Sequence, residues 1–350
     1  MAQSKLFGDE YIQFLQKHIS SARPVAGRRE VLCRCFYCPD SRDPSHAHMY
    51  ISVPQSEDEP SEFHCKKCNT GGYVTTNRLI EWGIYDPVIG TNLDIIMKNS
   101  IKKGIIKGTE RNVYNFRNGV IDNELAAQKV AFINSRLDTN LTIQECIDLK
   151  IILNLGDTLM MNNIKELSRH PSIVQQLHDH FVGFLSEDNN FVNLRRICNE
   201  GIVYKSIDKR YINYNIFGKK DNTEKMYVIP TVVDLNNPYP LDIHIAEGPF
   251  DILSIYLNLR QRSHGIYCAC GGGGYASVLD FIINTLKIYN PLNIHFYPDN
   301  DEVGNEKRII NIANFYRPYG YQVYSHRNYY PGEKDMGVPL SRIDEKVFKL

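Results

Sequence analysis

One tryptophan in 350 residues, no net charge and no long apolar run are what this sequence is short of. The 40 basic residues are balanced by 40 acidic ones, so a nucleic-acid or membrane partner cannot be argued from global electrostatics. Any cationic surface has to be local. No stretch approaches the ~20 apolar residues that cross a bilayer. The N-terminal MAQSKLFGDEYIQF lacks the uninterrupted apolar core of a signal peptide. The expectation is a cytoplasmic protein with no membrane partner. Internal repeats and coiled-coil heptads are also missing, as is the G-x-x-x-x-G-K-[ST] phosphate loop of an ATPase motor. What remains is ordinary for globular domains, with 43% hydrophobic and 23% charged residues, and the length suits two or three of them.

Cysteine is present in quantity and unevenly placed. Five of the nine fall between Cys33 and Cys68, and in a reducing compartment such clustering favours a metal over disulfides. Cys35-Phe-Tyr-Cys38 and Cys65-Lys-Lys-Cys68 are two C-x2-C pairs, separated by a spacer with strand character (HAHMYISVP) and an acidic loop (QSEDEPSE). Each pair makes a knuckle that aims two thiolates at one point, and together they give the tetrahedral all-thiolate set preferred by Zn2+. Four protein ligands leave no open position, so the site is structural. Its ion would supply much of the folding free energy of so small a domain, ~10–16 kcal/mol in comparable peptides. Cys33 in place of Cys35, and His46, His48 or His64, stand as rival ligands ranked below the two pairs. Arg34, Arg42, Lys66 and Lys67 lie near the knuckles and suit DNA contact, although solvated surface charge is the usual fate of such residues.

Beyond Gly72 the sequence predicts a short helix over 73–82, then a Gly/Lys/Asn-rich linker over 81–110 in which the apolar Leu93 to Met97 is the one segment suited to packing. Helical periodicity over 125–137 and 159–167, with strand-like runs at 181–185, 191–197 and 227–233, gives a mixed α+β middle over 111–235. The last third alternates strands (241–246, 265–269, 292–297, 321–325) with helices (251–259, 276–288, 303–316). That pattern implies an α/β domain with a central parallel sheet, whose ligands sit beyond the C-terminal strand ends.

Acids occupy those ends. Glu247 follows the first strand, in Glu-Gly-Pro-Phe-Asp, and Asp299 and Asp301 follow the third, in Tyr-Pro-Asp-Asn-Asp. Hard oxygen ligands converging this way suit Mg2+ or Mn2+, and two such ions can activate a 3'-hydroxyl and stabilise leaving pyrophosphate. Asp251 starts the next helix and can act as a supporting acid or merely as its cap. A calcium loop beginning at Asp299 fails, because Val303 and Ile310 occupy positions that require acids. Gly271-x-Gly273-x-x-Ala276 matches a dinucleotide fingerprint weakly and leaves Glu247 and Asp301 unexplained.

These residues resemble a known family. Glu247-Gly248-Pro249-Phe250-Asp251 with Asp299-Asn300-Asp301 some fifty residues on resembles the Toprim signature, shared by DnaG-type primases, type IA and II topoisomerases, OLD-family nucleases and RecR-like mediators. The cysteine pairs, with Pro-Asp-Ser-Arg after the first and Gly71-Gly72 after the second, resemble the zinc-binding domain of phage DnaG-type primases. The resemblance implies a zinc ribbon over 1–80, a basic subdomain over 111–235 and a Toprim catalytic subdomain over 236–350. It implies zinc on Cys35, Cys38, Cys65 and Cys68, and magnesium on Glu247, Asp299 and Asp301. Asp251 would take a supporting role, and Asp335 would match a later acid. The activity implied is a DNA primase, a DNA-directed RNA polymerase joining ribonucleoside triphosphates on single-stranded DNA for replication. The zinc domain would help to recognise the start site. A replicative helicase would act in trans, and a viral source would place the chain in the host cytoplasm.

The middle segment carries its own signal. Lys205, Lys209, Arg210, Tyr211, Tyr214, Phe217, Lys219 and Lys220 interleave cations with rings, a pattern that neutralises phosphates and stacks on unpaired bases. Arg195 and Arg196 join them. The bland alternative is an amphipathic strand with tyrosines in the core and lysines in solvent. For the whole chain, two rivals stand beside the primase reading: a Toprim nuclease that cuts DNA without nucleotides, and a non-catalytic DNA-binding recombination mediator.

Overall fold

The computed structural model describes residues 7–38, 46–68, 70–103, 113–164, 171–197, 202–217, 225–233, 239–271, 274–286, 288, 292–300 and 303–350. Asp301, Arg42, Lys219, Lys220 and the two middle glycines of the four-glycine run lie outside the described residues. The structure mixes helices and strands in α/β fashion, with several sheets. The chain divides into two compact units, Met1–Arg111 with Gly272–Ser325 and Phe348–Leu350, and Asn112–Gly271 with His326–Val347. The division at Gly271 falls inside the segment 236–350, which the sequence presents as one domain.

In the first unit α1 (Asp9–His18) precedes β1 (Arg23–Val25), β2 (Glu30–Cys33), β3 (Met49–Ser52), β4 (Glu62–Cys65) and β5 (Gly71–Tyr73). The five strands form one antiparallel sheet in sequence order. Register decides its faces: Val31, Ile51 and Phe63 lie side by side, as do Cys33, Met49 and Cys65, and all six are buried. Tyr11, Ile12 and Leu15 of α1 join the same core, as a one-sided apolar stripe should.

Helix α2 (Thr76–Trp82) opens on Thr75, whose hydroxyl accepts from the Arg78 N–H, and it closes on Gly83 at φ 71°. The segment expected as a linker carries α3 (Pro87–Lys102), with proline at its first position and Leu93 and Ile96 buried. Enough apolar residues at helical spacing sit among its glycine, lysine and asparagine to give it a packed face.

The second unit holds α4 (Asn123–Leu137), α5 (Ile143–Asp148), β6 (Ile151–Ile152), α6 (Leu155–Met161), α7 (Pro171–His180), β7 (Phe181–Leu185), β8 (Phe191–Arg196) and β9 (Tyr211–Asn215). Its four strands pair antiparallel in the order written, over a core containing Phe181, Leu185, Val192 and Leu194. Then come β10 (Tyr227–Val228), β11 (Leu241–Ala246), α8 (Pro249–Ser254), which runs on in wider π turns over Ile255–Leu259, and β12 (Ile266–Ala269). Strands β11 and β12 are parallel, with α8 as their crossover, while β10 runs antiparallel to β12.

Returning to the first unit, α9 (Tyr275–Asp280), β13 (Leu292–Tyr297), α10 (Val303–Tyr316) and the first four residues of β14 (Gln322–Asn328) follow. Strands β13 and β14 pair in parallel across α10. Strand β15 (Glu345–Lys349) ends the chain. No described helix is long and apolar enough to cross a membrane.

Candidate metal centre and anion site

The strongest site lies in the first unit. The Sγ atoms of Cys35, Cys38, Cys65 and Cys68 all fall within 4.8 Å of one another. Cys35 and Cys68 sulfurs stand 3.7 Å apart, and those of Cys38 and Cys65 3.9 Å. A tetrahedral ion with ~2.3 Å bonds to sulfur sets its ligands ~3.8 Å apart. The spacing therefore fits zinc, and a four-sulfur set is the donor chemistry zinc takes. The first knuckle is braced by the Tyr37 N–H, which donates to Cys35 Sγ at 3.3 Å.

The rival ligands resolve. Cys33 turns into the hydrophobic core instead, and no histidine joins the set among the described residues.

The second unit contains the acids of the Glu-Gly-Pro-Phe-Asp turn. Glu247 follows β11 directly and is half-buried. Gly248 and Asp251 form a helix start, in which the Gly248 N–H donates to Asp251 Oδ2 at 3.0 Å and Pro249 takes the first helical position. Phe250 is a core anchor, edge-on to Phe184 at 5.0 Å between ring centres. Asp251 therefore caps α8. Its other oxygen faces Gly337, where an added Cβ would come within 2.5 Å. Asp335 stands just before that glycine and accepts the Gly337 N–H at 3.0 Å.

The same unit gathers cations. Arg195 on β8 is 6% exposed, and its Nε and Nη1 are buried with no hydrogen-bond partner among the described residues. Its guanidinium lies 4.4 Å from the centre of the Tyr211 ring, which is its register partner on β9. Arg210 approaches the same ring at 5.6 Å. Arg136, in the last turn of α4, stacks over Phe250 at 4.7 Å and has its own buried, unpartnered Nε. Burial lowers the Arg195 pKa to about 10, with the cations Arg210 and Arg136 adding to the effect and Tyr211 and Asp335 opposing it. At neutral pH it stays charged. A buried cation with two unused donors is a costly arrangement that a bound anion would relieve.

Of the other basic residues anticipated from the sequence, Lys205, Lys209 and Arg210 are exposed in or beside the turn leading into β9. Arg196 is engaged with Asp208 at 2.6 Å. Tyr211 is 47% exposed, so β9 does not put this tyrosine in the core. Asp299 follows β13 in the first unit and is half-buried. Arg136 was not legible beforehand, because nothing local separates it from any other arginine near a helix C-terminus.

A scan against protein-family models finds no match to this chain, and searches of curated proteins and of solved structures find none either.

Proposed function

We propose that the chain is a primase, a metal-dependent nucleotidyltransferase that joins ribonucleoside triphosphates on a single-stranded DNA template. The observation that carries this reading is Arg195, a buried cation with two unused N–H donors, over the Tyr211 ring that Arg210 also approaches and within the electrostatic reach of Arg136. A triphosphate supplies the anion that such a cluster lacks, and the exposed face of Tyr211 offers a base somewhere to stack. The acid-bearing turn at Glu247 and the loop at Asp335 belong to the same unit.

In this reading Glu247, Asp299 and Asp301 hold Mg2+ or Mn2+, which would activate the attacking 3'-hydroxyl and stabilise the leaving pyrophosphate. Asp251 keeps the Glu247 turn in shape by capping α8, and Arg195 and Arg136 orient the triphosphate. Zinc on the four cysteines is structural, and the ribbon around it contacts the template. A helicase would act as a separate partner.

The test is primer synthesis on a library of short single-stranded DNA templates with labelled nucleotides and Mg2+ or Mn2+. Short RNA products are expected from the parent chain and none from Asp299→Ala, with a loss of at least tenfold in Arg195→Ala. No product on any template with either metal would overturn the reading. DNA cleavage without nucleotides would replace it with the nuclease.

A further inference from the structure

The first C-x2-C knuckle encloses two aromatic residues that metal ligation does not use. Phe36 stacks on Trp82 with ring centres 4.7 Å apart and planes 10° from parallel. Tyr37 stacks on Phe63 at 5.8 Å. Its hydroxyl receives hydrogen bonds from Arg78 Nη1 at 2.6 Å and Trp82 Nε1 at 2.9 Å, and donates to Glu81 Oε2 at 3.0 Å. The knuckle thus plants its side chains on α2.

Glu81 then reaches onward. It is fully buried and pairs with Arg78 at 2.6 Å and with Arg308 of α10 at 3.4 Å. It also accepts the backbone N–H groups of Tyr275 and Ala276, which open α9, at 3.2 and 3.3 Å. Arg308 lies 4.7 Å from the centre of the Tyr37 ring, closing a circuit from knuckle to α2 to α10 and back to the knuckle. Arg78 further donates to Ser277 of α9 at 2.9 Å.

Gly274, at φ +75°, makes the approach feasible, since a Cβ there would lie 2.9 Å from the Tyr37 ring and 2.8 Å from Arg78. A second contact set runs beside the first. Thr75 and Asn77 each donate to Asp280 at 2.7 Å, and Asn311 donates to the Glu81 carbonyl at 3.2 Å.

We infer that Glu81 is a positioning residue through which zinc occupancy of the ribbon sets the order of α9 and α10, the helix that follows the Asp299 loop. The cluster gathers two guanidinium groups on one buried carboxylate, so removing Glu81 leaves two buried cations without that partner. Tyr37 is the member that depends on the metal, since its place is fixed by ligation of Cys35 and Cys38 on either side. Loss of zinc frees Tyr37, takes from Arg78 and Glu81 a hydrogen-bond partner and from Arg308 the ring it lies over, and loosens both helices. If the primase reading holds, zinc becomes a requirement of nucleotidyl transfer itself as well as of template recognition. That consequence alone rests on the proposed function.

The coupling is tested on the full chain by hydrogen exchange, with zinc content measured by native mass spectrometry. Chelation is expected to reduce protection over 275–280 and 303–316 by tenfold or more, while β7 and β8 of the second unit keep theirs. Glu81→Gln is expected to retain zinc and lose the same protection in α9 and α10. Tyr37→Phe, which deletes one hydroxyl, should give an intermediate loss with zinc retained. Unchanged protection in α9 and α10 of the zinc-free chain would overturn the inference, as would a zinc-loaded Glu81→Gln as protected as the parent. Neither result depends on whether the chain makes primers.

Discussion

Arg195 and Lys129 are both buried cations of the second unit, and their surroundings give them opposite consequences. Lys129 is fully buried, and its ammonium donates to the Leu153 carbonyl at 2.6 Å and to the His178 carbonyl. Burial lowers its pKa from 10.5 to about 7, against the partial support of Asp179, Asp157 and Asp122. The unfolded chain binds this proton up to about pH 10, whereas the folded one releases it near 7. Between those values the unfolded state holds more protons, so this group's contribution to stability rises with pH and is lost as pH falls through 7. Denaturant titrations from pH 7 to 10 should show a slope of about 1 kcal/mol per pH unit from this residue, and Lys129→Met should flatten it. Arg195 keeps its charge at neutral pH and has N–H groups to spare. Arg195→Ala should weaken triphosphate binding by ten- to a hundredfold in titration calorimetry while leaving the melting temperature unchanged or raised. The variant removes a buried charge that the unliganded protein leaves unpaired. Arg195→Lys should not restore binding, because a point charge cannot reproduce the guanidinium fork against the Tyr211 ring.

Helix α8 shows how a short motif serves structure and chemistry together. Gly248 gives Asp251 room to cap, Pro249 starts the helix and Phe250 fastens it to the core, which leaves Glu247 at the strand end with a fixed backbone. Gly337→Ala should destabilise this arrangement by ~1–3 kcal/mol in urea unfolding. The new methyl meets Asp251 Oδ1 at 2.5 Å and the Phe250 Cβ at 3.2 Å, and the Asp251 carboxylate is already held by the Gly248 N–H. Elements of this kind were legible in the sequence because local chemistry determines them. The runs 241–246, 292–297 and 303–316 fall on β11, β13 and α10, and the paired cysteine spacing marks the metal set. Strand β15 and helix α3 were not, since an exposed Glu-Lys-Val-Phe-Lys and an asparagine-rich stretch acquire their structure from tertiary neighbours. The role of the four-glycine run stayed hidden for the same reason. Its last glycine makes room for Tyr37 and Arg78, a contact between residues far apart in the chain that no spacing rule encodes.

At the scale of the whole molecule the chain's single tryptophan becomes an instrument. Trp82 is 3% exposed and packs against Phe36 inside the first knuckle and Phe63 of β4, all within the first unit. Its fluorescence therefore reports that unit alone, whereas far-ultraviolet dichroism reports both. The first unit draws ~10–16 kcal/mol from zinc if its site behaves as isolated zinc modules do, and no comparable cluster exists in the second among the described residues. A chain that divides into two compact units need not unfold in one step, so a single melting temperature is not assured. Chelation should shift the fluorescence transition down by tens of degrees, on the order of 2–4 °C per kcal/mol lost, or abolish it, while the dichroism curve keeps a later phase where it was. If both signals fell together and equally, the two units would form one cooperative block, and zinc would stabilise the entire chain.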